Sequence, residues 1–120
     1  MSRDVRVRLD DVVRYADEAI AFVAGMSYDE FAADRRTQMA VLYALLVVGE
    51  ATKHVPDAVR ARAPDSGWTG AARFRDQAAH GYDTLDLPTV WDIGTRRLPP
   101  YREQVAALDA ALDAAGGRAE

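Results

Sequence analysis

Cysteine is absent from this 120-residue chain. That excludes disulfides, a thiolate metal site and a cysteine nucleophile. Histidine is scarce: His54 and His80 are the only two. Long hydrophobic runs are missing. Runs such as Ala44-Leu45-Leu46-Val47-Val48-Gly49 and Ala19 to Met26 are far too short to span a bilayer. The opening Met1-Ser2-Arg3-Asp4 is charged and lacks the apolar stretch of a signal peptide. A soluble, cytoplasmic protein with no membrane partner is expected. No stretch alternates with the period of two that marks a half-buried strand. Net positive charge is also missing. The formal balance is −4, which does not advertise a nucleic-acid binder. Lysine is nearly absent, one residue against fourteen arginines, a bias that a GC-rich genome is enough to explain.

What is present favours helix. Hydrophobic residues make up 49% of the chain, much of it alanine with valine and leucine. The length is that of one domain, residues 1–120, with an ordered core over about 3–114 and a frayed tail from Gly116. Its small core is one that a second copy would help complete. Val5, Leu9, Val12, Val13, Ala16, Ile20 and Val23 recur every three or four residues and predict a helix over about 4–24, with Gly25 as its stop. Ser27-Tyr28-Asp29-Glu30 has the form of a capping box and starts a short helix that carries Phe31 inward. Asp34 is placed to cap a third helix, over about 35–55. Its apolar arc, from Met39 to Gly49, is too wide for one packed neighbour, which points to a second surface such as another protomer.

Pro56 ends that helix, and a turn or two follows before Pro64. A helix over about 68–79 has Trp68 at its start and Thr69 as candidate cap. Asp86-Leu87-Pro88 opens the last helix, with a capping acid and a proline in the first turn. Pro99-Pro100 is expected to kink or break it near Arg97 before the stripe resumes through Tyr101, Val105, Leu108 and Leu112. The fold class read from these patterns is all-α: an up-and-down helical bundle of four to five main helices without a sheet. Trp68 and Trp91 read as core or interface anchors.

The chemistry concentrates in Arg75-Asp76-Gln77-Ala78-Ala79-His80-Gly81-Tyr82. An arginine, a histidine and a tyrosine fall where a helix stops and backbone groups open to solvent. Each also has a plain structural reading. Arg75 can be a solvated or ion-paired surface arginine. His80 can be a helix C-cap whose imidazole bonds the last carbonyls. Tyr82 can pack its ring on the bundle. On an ideal helix, residues five apart lie about 140° around the axis and about 7.5 Å along it. Arg75 and His80 therefore act together only if the helix ends near His80 or the arginine folds back. Glu50 and His54, four apart, have a spacing that can hold a metal, but no facing motif completes such a site. A surface histidine at a helix end, with Glu50 pairing an arginine, is the better reading, and Glu50 is expected to lie near Arg75 or His80 and help orient them. Charge is uneven around the stretch. Arg60, Arg62, Arg73 and Arg75 face only Asp65, whereas Asp76 to Asp92 holds four acids and no lysine or arginine.

Taken in order, Gly49-Glu50-Ala51-Thr52-Lys53, Trp68, the block from Arg75 to His80-Gly81-Tyr82, Asp86-Leu87-Pro88-Thr89-Val90-Trp91 and Leu98-Pro99 resemble the HepT-like toxins of the HEPN superfamily. Arg3-Asp4 and Thr37-Gln38 also look like that family, so the resemblance spans nearly the whole chain. It implies an all-helical bundle that forms a homodimer and pairs with a minimal nucleotidyltransferase antitoxin in a type VII-like toxin–antitoxin pair. It further implies a ribonuclease that needs no metal or other cofactor and acts on RNA, not DNA. The family motif is an arginine, four to six residues, then a histidine, and Arg75 and His80 match it. Asp76 stands where relatives often carry asparagine. Tyr82 resembles the residue to which the partner enzyme attaches AMP.

RNA supplies its own nucleophile, the 2′-OH, so an enzyme needs proton transfer and positive charge at phosphorus. Imidazole is the side chain suited to the first. A guanidinium fork matches phosphate oxygens for the second. A different class of function also fits: a non-catalytic helical partner that a minimal nucleotidyltransferase binds and modifies, with Arg75 and His80 structural. The acids around Asp76 favour that alternative, and the Arg60–Arg75 cluster favours the nuclease.

Overall fold

The apolar stripe of the first helix buries one face completely. Leu9, Val12, Ala16 and Ala19 are inaccessible to solvent in α1, Arg3–Val23. The structure is a computed structural model and describes residues 3–64, 67–81, 83 and 85–117. After α1 come α2 (Tyr28–Ala32), α3 (Arg35–Lys53), α4 (Asp57–Arg60), α5 (Trp68–His80), α6 (Leu87–Asp92), a π-helical stretch (Ile93–Arg97) and α7 (Leu98–Gly117). The fold is all-α, with no strand among the described residues. No described helix is long and apolar enough to cross a membrane.

Local chemistry sets the helix ends. Gly25 takes a left-handed φ of +78° just after α1. Ser27 and Glu30 form the expected box: the Ser27 hydroxyl accepts from the Glu30 N–H at 3.1 Å, and the Glu30 carboxylate accepts from the Ser27 N–H at 2.9 Å. Asp34 caps α3 by accepting from the N–H and the hydroxyl of Thr37. Asp86 caps α6 by accepting from the Thr89 N–H at 2.7 Å.

Two expectations need correction. Thr69 lies inside α5, and the N-cap is Gly67 at φ +96°. That left-handed backbone favours glycine, and a Cβ there would press on the Tyr101 ring at 3.3 Å. Starting the helix at Trp68 lets the indole N–H reach the Ala63 carbonyl at 2.8 Å. The second concerns Pro99-Pro100, expected to kink or break the helix near Arg97: of the two, the break does not occur, and the helical course continues. The disturbance is taken up by the π-helical stretch just before them, closed by the Leu98 N–H to the Ile93 carbonyl. The prolines then occupy the first turn of α7, where a missing N–H costs least. Thr95 Oγ1 donates to the Trp91 carbonyl at 2.7 Å and satisfies a group in the widened turn. α7 continues to Gly117, beyond the expected end near Ala114.

α1 packs between α3 and α7, and α3 also packs on α5. The molecule measures 50 × 30 × 21 Å, so its thin dimension holds two helix layers. Phe31 is fully buried against Trp91, with ring centroids 5.2 Å apart. Trp68 meets the Tyr101 ring edge-on at 5.6 Å. Both tryptophans thus serve as packing anchors. Arg102 holds the two carboxylate oxygens of Asp17 at 2.7 and 3.1 Å, tying α7 to α1.

Beneath α5, Thr52 and Tyr101 share a buried hydrogen bond of 2.7 Å. Burial pushes the Tyr101 phenol up to about 12. In an unfolded chain a phenol titrates near 10. Stability from the buried neutral phenol is therefore complete below pH 10 and is lost as the pH rises toward about 12, because the unfolded chain releases its proton first. Urea denaturation should show a fall of about 2–3 kcal/mol across that window. Tyr101→Phe should flatten this fall. The same slope in both proteins would mean that Tyr101 is not the group responsible.

Candidate functional site

α5 crosses α3 at Gly49. A Cβ built there would stand 2.5 Å from Arg75 Cβ and 2.8 Å from the Ala71 carbonyl, so the helices meet backbone to backbone. Glycine permits this approach, and the neighbouring side chains follow from it. Glu50 receives the Arg75 Nε at 2.7 Å. Lys53, one turn on, reaches Asp76 Oδ1 at 2.6 Å. That same oxygen lies 3.4 Å from Arg75 Nη1. Two cations and two anions interleave across the crossing, with no net charge. Asp76 is held below the usual carboxylate range, chiefly by the Lys53 hydrogen bond.

The structure thus brings Glu50, Arg75 and Asp76 together. Arg75 is part-buried and ion-paired, with its Nη2 uncommitted to any described residue. His80 is exposed and ends α5. It does not act as the carbonyl-binding C-cap. The helix is closed instead by the Gly81 N–H to the Gln77 carbonyl at 2.9 Å. The imidazole has no polar partner among the described residues. Because α5 stays helical through His80, Arg75 and His80 remain about 140° apart around its axis. One chain does not set them on one face. Tyr82 lies outside the described residues.

His54 caps α3, its Nδ1 2.9 Å from the Glu50 carbonyl and 3.6 Å from Glu50 Oε1. No group of three or more metal-ligating side chains forms among the described residues. The Arg60–Arg75 cluster is less of a basic surface than the sequence implies. Arg60 donates to the carbonyls of Thr52 and Val55 at 2.7 and 3.0 Å, which closes the C-terminal end of α3. Only Arg62 and Arg73 stay exposed and without a described partner. The acidic run is similarly occupied: Asp86 caps a helix, and Asp92 pairs with Arg96 and Arg97. A cavity of about 430 Å³ lies on another side of the α3–α5 contact, lined by Leu45, Val48, Phe74, Leu98 and Tyr101. Glu50, Asp76, Arg75 and His80 do not line it.

Sequence reasoning gave no role to Lys53 or to Gly49. The available signals were that Lys53 is the only lysine and that it follows Glu50 by one helical turn.

Known proteins carry the same span. A family model described as Ribonuclease HepT-like matches residues 12–108. A Methanocaldococcus jannaschii protein named as an RNase is 37% identical over 97 residues, 81% of this chain and 80% of that protein. Another RNase-named protein of the same organism is 32% identical over 102 residues, covering 85% and 84%. A Thermococcus cleftensis protein named as a ribonuclease HepT is 29% identical over 108 residues, covering 90% and 98%. No solved structure matches the chain. The matched span takes in both helices of the crossing and every residue gathered there, and by it the chain belongs to the HepT-like ribonuclease family.

Proposed function

We propose that this chain is a metal-independent RNA endonuclease, the cytoplasmic toxin of a type VII-like toxin–antitoxin pair. The observation that carries this reading is the Arg75 guanidinium, fixed from one side by Glu50 at 2.7 Å, five residues before the exposed His80 that ends α5. Arg75 holds nonbridging phosphate oxygens and opposes the charge that grows on them. His80 moves a proton at the reacting oxygens. The 2′-oxygen forms a bond to phosphorus as the bond to the 5′-oxygen breaks. The products are a 2′,3′-cyclic phosphate and a free 5′-OH, and the 2′-OH proton is balanced by the one the leaving oxygen takes up.

A homodimer completes the site in this reading. Met39 and Tyr43 remain 57% and 62% exposed. On α3 they fall within about 40° of Glu50, so the uncovered apolar face runs into the charged crossing. A second copy seated there would add its own His80 to the cleft. The partner enzyme, a minimal nucleotidyltransferase, would silence the toxin by moving AMP from ATP to the Tyr82 phenol. The phenol oxygen bonds the α-phosphorus and pyrophosphate leaves, placing a phosphate two residues from His80 and repelling substrate.

One experiment tests both parts. Purified protein is incubated with single-stranded RNA in EDTA, before and after treatment with the partner enzyme, ATP and magnesium. Cleavage should persist in EDTA, leave cyclic-phosphate ends and fail on a 2′-deoxy strand. Adenylate mass additions should appear on the wild type, not on Tyr82→Phe, and should stop cleavage. Equal cutting of the 2′-deoxy strand rejects the chemistry. Modification of Tyr82→Phe rejects the regulation.

A further inference from the structure

We propose that Lys53 is a positioning residue of this site: it takes up the Asp76 carboxylate and so leaves the Arg75 guanidinium available to an RNA phosphate. The inference rests on the reading of Arg75 as the phosphate-binding group. Asp76 follows Arg75 directly, and a carboxylate so placed competes with phosphate for the same donors. The distances show which cation holds it. Lys53 Nζ lies 2.6 Å from Asp76 Oδ1, whereas Arg75 Nη1 lies 3.4 Å from it. Lysine is a compact point charge on a flexible stem and can keep one carboxylate oxygen without demanding a planar partner. With Lys53 in place the four charges of the crossing cancel. Without it they sum to −1 beside the place where an anion must bind. The Lys53 and Asp76 side chains are 36% and 48% exposed. Such a pair adds little to stability, so its loss should leave the fold intact.

Lys53→Ala in the full-length chain should raise the KM for a single-stranded RNA about ten-fold at low salt, the scale of one uncompensated charge a few ångströms from phosphate. Its kcat should change less. Binding of a 2′-O-methyl oligonucleotide, which cannot be cleaved, should weaken in parallel. Lys53→Ala combined with Asp76→Asn should restore both values, because no carboxylate is left to restrain. Lys53→Arg should restore them in part. Lys53→Gln serves if the alanine variant unfolds, as read by its thermal midpoint. A defect that Asp76→Asn does not relieve would mean that Lys53 touches the phosphate itself, which overturns the proposal. Unchanged KM in Lys53→Ala, with Arg75→Ala inactive, overturns it as well. A wild type that does not cleave RNA instead removes the reading of Arg75, and the role of Lys53 falls with it.

Discussion

His80→Ala should abolish RNA cleavage while the protein keeps its helical circular dichroism and its thermal midpoint. The expected loss is on the order of 10²–10⁴-fold, the usual worth of a positioned proton-transfer group. The structure makes this substitution unusually clean. His80 is exposed and bonds no described residue, and the helix end is held by the Gly81 N–H to Gln77. Alanine therefore removes the imidazole without leaving a buried group unpaired, and alanine suits a helix terminus at least as well. A structural histidine would show the opposite pattern, a fall in stability with little change in rate. His80→Ala that still cuts RNA at the wild-type rate would leave the chain as a helical substrate of a nucleotidyltransferase and nothing more. In a dimer whose two His80 side chains share a cleft, mixing wild-type and His80→Ala chains should give intermediate rates that depend on subunit exchange.

The fold was largely legible from the chain. The three-and-four spacing of Leu9, Val12, Ala16 and Val23 marks a face that is buried as expected. Ser27, Asp34 and Asp86 announce three helix starts because a side-chain oxygen before an apolar run has an orphan N–H to satisfy. The misreadings came where backbone conformation outweighed side-chain preference. Thr69 looked like a cap, but the left-handed Gly67 begins α5 because Trp68 must reach Ala63 and Tyr101. Two prolines signal a kink or a break near Arg97, and a π-helical turn ending at Arg97 takes up the disturbance without ending the helix.

Around the candidate site, one neighbour of Arg75 was legible in the sequence and the arrangement of the charges was not. Chemistry points Glu50 toward Arg75 or His80, and it lies 2.7 Å from Arg75. The arginine cluster misled because charge counted along a chain ignores where each side chain bonds. Arg60 spends its donors on the carbonyls of α3. The balance around Asp76 also depends on a helix 23 residues earlier in the sequence, which no local reading could supply. That long-range contact exists because of one residue without a side chain.

Gly49→Ala is the prediction that joins the fold to the site. Its new Cβ would meet Arg75 Cβ at 2.5 Å and the Ala71 carbonyl at 2.8 Å. Neither neighbour is the loose end of a flexible side chain, so relief requires α5 to shift away from α3. Overpacking of this kind costs about 1–3 kcal/mol. The displacement also carries Arg75 and Asp76 away from Glu50 and Lys53, and a misplacement of about 1 Å at a reacting group can cost about 100-fold in rate. Gly70→Ala is the matched control. It lies on the same helix as Arg75, and nothing stands within 4 Å of its added Cβ. Alanine there should stabilise α5 by up to about 1 kcal/mol through helix propensity alone. Urea denaturation should therefore move the two variants in opposite directions, and RNA cleavage should fall only in Gly49→Ala. Equal stability and equal cleavage in both variants would show that the close crossing at Gly49 does not position Arg75, and the geometric basis for the site would be lost.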